Sequence, residues 1–392
     1  MERLSGIERT DWRRQAAAVG FDFAYADAQP YWDESVYYRF TLAEIEGDIE
    51  AASEELLAMC YQAVGYTLDR PALLRQLAIP EWAWDYLRES WRRQDKDLYG
   101  RFDLHYDGRS PPKLFEFNAD TPTALFEAAV FQWQWLEQNL AQSVLPTGAD
   151  QFNSIHEKLI AAFANFGFGH RTLHVACLRD HPEDLLTAEY LRDCANQAGI
   201  KTKALAIADI GIAAGARFTD LDDELITDLF KLYPWEWMLA DEFGRSLPQD
   251  MMRLIEPPWK MTLSNKGLLA ILWDMFPGHR LLLPAYFEGD PRAATLRGQV
   301  VRKPLLGREG SNIEIARNFA AATRAASQAN AGPYGEEGFI VQEFRELPAF
   351  AGNRPVIGSW VVAGQACGMG IREEASLITS NVARFVPHII LN

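Results

Sequence analysis

The segment from Leu98 to Thr123 restricts this chain more than any other. Two runs of alternating polar and apolar residues, Arg101 to Tyr106 and Lys113 to Asn118, flank a turn containing Gly108, Ser110, Pro111 and Pro112. Period-two alternation on both sides of turn-forming residues predicts a β-hairpin. Side chains alternate faces along a strand, so Arg101, Asp103 and His105 share one face of the first strand. Glu116 and Asn118 share one face of the second, and Phe102, Leu104, Phe115 and Phe117 take the opposite, core-facing side.

If the two polar faces coincide, Asp103, Glu116 and Asn118 converge. Two carboxylates and an amide oxygen form a hard oxygen set of the kind that holds Mg²⁺ together with substrate phosphates. Arg101 stands beside that set as a fixed cation. Alternation alone favours a plainer outcome, a hairpin with one solvated face. The residues that follow shift the balance. Asn118 runs directly into Ala-Asp-Thr-Pro-Thr and then a helical pattern from Ala124 to Leu140. Thr121 fits an N-cap with Pro122 at the first helical position. A helix N-terminus flanked by the hydroxyls of Thr121 and Thr123 is an anion site.

The chain has 392 residues, which suggests two or three domains. Its net charge of −16 argues against broad binding to nucleic acid or anionic membranes. Four scattered cysteines, Cys60, Cys177, Cys194 and Cys367, have neither CxxC nor metal-ligand spacing. They read as buried thiols in a reducing compartment. The first residues are charged, without a signal-like apolar core, and no apolar run spans a bilayer. A cytoplasmic location is expected.

Residues 1–97 read as a mainly helical region, with helical spacing from Leu42 to Gly65 and shorter helices at Pro71 to Gln76 and Trp82 to Trp91. Tyr31, Trp32 and Tyr37 to Phe40 read as an aromatic cluster that forms a core or a lid hinge. The hairpin and its helix occupy 98–150. Residues 151–250 read as an α/β unit, with a strand at Thr172 to Leu178, a helix at Glu183 to Gln197 and a strand at Lys201 to Ile207. Arg179, Asp180, Glu183 and Asp184 follow the carboxyl end of the first strand, where open α/β sheets bind ligands. They could grip a substrate amine or amino acid, and helix capping explains them as well.

Residues 251–392 carry two lysines, Lys266 and Lys303, and a helix from Gly267 to Met275. A strand at Gln299 to Pro304 leads into the polar loop Leu305 to Asn312 and then a strand from Ile313. Such a glycine-bearing flap can present backbone N–H groups to phosphates, although a plain hairpin turn fits equally. Phe339 to Phe344 is a strand bearing Gln342 and Glu343, and Val356 to Val362 with Ala366 to Ile371 forms a final hairpin. Two lysines, a flap and this strand, set beside the oxygen triad, suit a nucleotide held between two antiparallel sheets.

These motifs resemble the glutathionylspermidine synthase family, in its stand-alone synthetase-like form. The residues that carry the resemblance are Tyr99-Gly-Arg-Phe-Asp103, Glu116-Phe-Asn-Ala-Asp-Thr-Pro-Thr123, Lys231-Leu-Tyr-Pro-Trp-Glu-Trp237, Ser264-Asn-Lys266, Arg302-Lys-Pro304, Gly307-Arg-Glu-Gly310 and Ile371-Arg-Glu-Glu374. The resemblance implies an α/β (α+β) chain with an ATP-grasp-type fold, circularly permuted because the metal set precedes the lysines and flap, plus an additional α/β substrate-side domain. It implies Asp103, Glu116 and Asn118 as ligands of Mg²⁺, with two ions in the site. Arg101 would contact phosphate, and Lys266, Lys303, Gly310, Gln342, Leu377 and Thr379 would surround ATP. Arg372 would stand at the phosphoryl-transfer end, with Thr121, Thr123 and Glu183 toward the substrates. Bifunctional members carry an N-terminal cysteine amidase domain, for which this chain leaves no room.

The expected activity is ATP-dependent ligation of a carboxylate to an amine through an acyl phosphate, on a glutathione-like peptide and a polyamine-like amine. Three other readings stand behind it: an ATP-binding protein with slow ATPase that acts through partners, a carboxylate-pair hydrolase on Asp103 and Glu116, and a structural module. The motifs leave open the acid, the amine, the residues that select the amine, and the oligomeric state.

Overall fold

The predicted hairpin forms and becomes one side of a larger sheet. In the computed structural model, which describes all residues except 27–28, 250–251, 309, 323–327, 330–333 and 381–382, its strands are Tyr99–His105 and Lys113–Asn118. Tyr99–His105 pairs on its other edge with Arg354–Val362, which continues to Gln365–Glu374 and Arg384–Val386. Three of the five strands therefore come from more than 200 residues downstream. Lys113–Asn118 is the edge strand, and its Glu116 and Asn118 line the cleft.

The wall opposite is a second antiparallel five-stranded sheet, in the order Ala285–Phe287, Phe339–Glu343, Val300–Pro304, Glu314–Ala316 and Gln328–Ala329. A four-stranded parallel sheet flanks the hairpin, ordered Arg253–Ile255, Asp228–Leu232, Leu173–Cys177 and Thr202–Ala206, with the helix Pro182–Gln197 crossing between the last two. This is the β-α-β unit expected from the sequence. Among the described residues, no helix is long and apolar enough to cross a membrane.

Three local expectations change. The first 41 residues are less helical than expected: Glu2–Ser5 and Val36–Phe40 are strands, joined by His388–Ile390 in a small sheet. Val36, Tyr38 and Phe40 are buried in alternation, so of the two expected roles these residues take that of core, on a strand whose parallel partner is His388–Ile390. Helix does run from Leu42 to Leu68, with a π-helical turn at Ile45–Glu50.

The second change concerns the helix after the hairpin, which starts at Leu125 and not at Pro122. Ala124 turns the chain through a left-handed conformation, φ 64°, just before it. Thr121 and Thr123 thus lie in a loop that cradles the cleft. The π-helical turn Glu127–Phe131 and the helix Gln132–Ala141 follow.

The third is a register shift between Asp103 and Leu104, opposite Phe115. Asp103 pairs with Glu116, but Leu104 pairs with Leu114. A bulge leaves one residue unpaired and re-aims its side chain. Leu114 takes the core position expected for Phe115, and Phe115 turns into the cleft.

Candidate active site

Arg101 and Asn118 are directly paired across the hairpin, as are Asp103 and Glu116. All four polar groups therefore meet on one face at the open edge. Arg101 donates to Asp103 through Nε at 2.7 Å and Nη2 at 3.1 Å, and through Nη1 to the Thr123 carbonyl at 2.5 Å. Its stem lies across Gly358 in the next strand, where a Cβ would sit 2.9 Å from Arg101 Cδ. Glycine there is what lets the guanidinium lie flat toward the hairpin.

Glu116 is the hub. Its Oε2 is 3.0 Å from Lys266 Nζ, and its Oε1 accepts from Asn118 Nδ2 at 3.2 Å. Lys266 Nζ also donates to the Gly307 carbonyl in the flap, 2.7 Å away. Lys303, from the opposite sheet, donates to the Phe115 carbonyl at 2.8 Å. Burial alone would raise the Glu116 carboxyl, but Lys266, Lys303 and Arg101 hold it down to about 2. Burial lowers Lys303 to about 8, although Glu116 favours its charged form.

Twelve of the expected site residues line a single cavity between the two antiparallel sheets: Arg101, Asp103, Glu116, Asn118, Thr121, Thr123, Lys303, Gly310, Gln342, Arg372, Leu377 and Thr379. They come from four separate segments of the chain. Lys266 lines an adjoining cavity that shares Glu116, Asn118, Thr121 and Arg308 with the first. Glu183 is not in the lining of either. It lies behind the loop, where its Oε1 accepts from Ala124 N at 3.3 Å. Its charge and burial, burial first, raise the neighbouring Glu127 carboxyl to about 7, and Glu127 accepts from the Tyr31 hydroxyl at 2.8 Å. Arg179 is tied to Asp209 and does not reach the cleft. Glu309 of the flap and Asn381 lie outside the described residues.

Several cavity residues escaped the sequence reading. Phe115 was assigned to the core because the bulge has no local signature. Val301, Ile313, Ile315, Phe344 and Leu347 add apolar surface to the cavity lining. Arg308, in a flap already singled out, crosses the cleft: Nη1 donates to Thr121 Oγ1 at 2.6 Å and Nη2 to Glu236 Oε1 at 3.2 Å.

The cavity lining is thus both apolar and charged, with cations and carboxylates on the same walls. Arg372 Nε is buried without a partner among the described residues, an orphan donor of the kind an anionic ligand satisfies. Among the described residues no three His, Cys, Asp or Glu side chains cluster as a metal site. The paired carboxylates with the Asn118 amide still fit a divalent cation, since each carboxylate now borrows a protein cation. Phosphate oxygens would complete the shell, as Mg²⁺ sites usually require.

Comparison with known proteins decides the family. The family model described as glutathionylspermidine synthase preATP-grasp matches residues 3–391. The chain belongs to this family. A protein of Haemophilus influenzae named "Putative acid--amine ligase" is 43% identical over 397 residues, covering 99% of each chain. The bifunctional glutathionylspermidine synthetase/amidase of Escherichia coli is 27% identical across 92% of this chain and 60% of its own. The trypanothione synthetase of Crithidia fasciculata is 28% identical across 81% of this chain and 51% of its own. This member of the family therefore spans the length of the first relative but only half to three-fifths of the other two. In fold it is similar to a glutathione synthetase-like effector from Globodera pallida, with a TM-score of 0.59 at 11% identity, covering 97% and 96% of the two chains.

Proposed function

We propose that this chain joins a carboxylic acid to an amine at the expense of ATP, through an acyl phosphate. As a family member it is an ATP-dependent carbon–nitrogen ligase. One observation carries the finer reading: segments near residues 101–123, 266, 303–310 and 342–379 converge on one cleft lined by apolar side chains, by the carboxylates of Asp103 and Glu116, and by the cations of Arg101, Lys266, Lys303 and Arg372. The order of these segments, metal set before lysines and flap, supports a circularly permuted ATP-grasp. Residues 98–150 and 251–392 make its two walls, 151–250 the substrate-side unit and 1–97 the packing behind it.

In this reading the adenine ring lies against the apolar side chains of Phe115 and Ile315, and the phosphates run toward Lys303 and Lys266. Asp103, Glu116 and Asn118 would hold Mg²⁺, which would neutralise phosphate charge. The acid's carboxylate is aligned by Arg372, Thr121 and Thr123. One of its oxygens attacks the γ-phosphorus, the bond to the β-phosphate oxygen breaks, and ADP leaves. Arg101 and Lys303 offset the charge on the transferring phosphoryl group, so catalysis is chiefly positioning and electrostatics. The amine nitrogen then attacks the acyl carbon. Inorganic phosphate departs with the amine's proton, and an amide remains. A glutathione-like peptide and a polyamine-like amine are the substrate classes that fit the relatives' names.

Oxygen-18 in the acid's carboxylate tests this route. The released phosphate is expected to carry one labelled oxygen, and amide formation with unlabelled phosphate would exclude the acyl phosphate.

A further inference from the structure

The segment Lys231-Leu-Tyr-Pro-Trp-Glu-Trp237 belongs to neither antiparallel sheet, yet its Glu236 lines the adjoining cavity and its Lys231 meets the 118–121 loop at a buried ion pair. Lys231, on the strand Asp228–Leu232, is fully buried, and Asp120 is 2% exposed. Lys231 Nζ lies 2.5 Å from Asp120 Oδ1 and donates to the Tyr233 carbonyl at 2.9 Å. The other carboxylate oxygen, Oδ2, accepts from Trp235 N at 2.9 Å. The ammonium also lies 4.5 Å from the centre of the Trp235 ring. Both oxygens of Asp120 are thus held by donors fixed in the parallel-sheet layer.

Asp120 stands between Asn118, the last residue of the hairpin, and Thr121. The same segment supplies Glu236, which binds Arg308, and Arg308 donates to Thr121 Oγ1. One short stretch therefore grips the 118–121 loop directly and also through the flap. A buried ion pair adds little net stability over a neutral replacement, because desolvating two charges offsets their attraction. What it does supply is direction, since a carboxylate held by two fixed donors has one position.

We infer that Asp120 and Lys231 are a positioning pair that sets Asn118 and Thr121 for the metal–nucleotide complex without contacting the reacting atoms. This rests on the proposed ATP site. The informative variant is Asp120→Asn/Lys231→Gln, which keeps every hydrogen bond satisfiable while removing both charges. Mn²⁺ serves as the probe in the presence of ATP, with free ion read by electron paramagnetic resonance, alongside the melting temperature and ATP affinity in EDTA. The double variant is expected to melt within a few degrees of wild type and bind metal-free ATP within about threefold, yet hold Mn²⁺ at least tenfold more weakly. Asp120→Glu, which keeps the charge but moves the carboxylate, should lose Mn²⁺ affinity similarly and serves if the double variant does not fold. Unchanged Mn²⁺ affinity in a well-folded variant would overturn the inference alone. So would a loss of metal-free ATP binding in step with melting temperature, which marks a mere brace. A wild-type chain that binds no Mn–ATP would overturn the ATP site and this inference together.

Discussion

Replacing Glu116 by Gln should uncouple nucleotide binding from turnover. The folded protein holds this carboxyl at about 2 against an ordinary 4.5, because Lys266, Lys303 and Arg101 outweigh its burial. At about 1.4 kcal/mol for each tenfold change in acidity, that gap corresponds to roughly 3 kcal/mol favouring the charged form. The side chain is 24% exposed, so screening trims the figure to about 2–3 kcal/mol. The folded value lies below the unfolded one, so this stability is present above 4.5 and is lost as pH falls toward 2. Urea unfolding should therefore show Glu116→Gln less stable by about 2–3 kcal/mol at neutral pH, with the difference shrinking below 4.5. Lys266 and Lys303 lose their internal counter-charge in the variant, so ATP without metal should bind at least as tightly. Turnover should fall on the order of a thousandfold, as when a preorganised group at developing charge is lost. Wild-type turnover in a folded Glu116→Gln protein would refute the assigned role, and unchanged stability would refute the ion-pair network.

Three further outcomes follow from other residues. His388 is fully buried, its Nε2 accepting from Phe152 N at 3.2 Å and its Nδ1 facing Gln132 Oε1 at 3.0 Å, and burial lowers it to about 3. Its folded value lies below the unfolded 6.5, so its neutral form destabilises nothing above 6.5, and stability is lost as pH falls below it. That amounts to about 1.4 kcal/mol between about pH 7.5 and about pH 5.5, an increment that His388→Gln should remove from the unfolding free energy. Phe115→Ala should weaken ATP binding by about tenfold to a hundredfold, the worth of one base–aromatic stack, with little change in melting temperature. Calorimetric titration with ATP checks it, and unchanged affinity would place the adenine elsewhere. Lys303→Met should cost about 1.5–3 kcal/mol of ATP affinity, the range for a hydrogen bond to a charged group. Equal affinity in the same titration would remove Lys303 from the phosphate path.

Most of the cleft was legible because its chemistry sits on regular elements. The hairpin strand Lys113–Asn118 and the helix Gly267–Met275 form at the expected residues. The polar hairpin face was readable for the same reason, and strand pairing then set Asp103 against Glu116. What alternation cannot show is a bulge, because one unpaired residue leaves the composition of the strand unchanged. Phe115 was therefore misplaced. The start of the helix at Leu125 was hidden in a similar way. Thr121-Pro122 has the chemistry of a cap, but the Thr121 hydroxyl and the Thr123 carbonyl are engaged by Arg308 and Arg101. Those partners are 187 and 22 residues away. The strand Val36–Phe40 lacked a local pairing signal because its parallel neighbour is His388–Ile390. Asp120 and Lys231 each stood in a quoted motif, and only the fold joins them.

The central claim is that this cleft spends ATP to make an amide. The most direct measurement is ADP release from Mg-ATP across a panel of γ-glutamyl peptides and amines, with mass spectrometry of the products. The account predicts release that rises with one acid–amine pair and a product whose mass equals acid plus amine minus water. ADP release indifferent to every pair, with no amide formed, would contradict it.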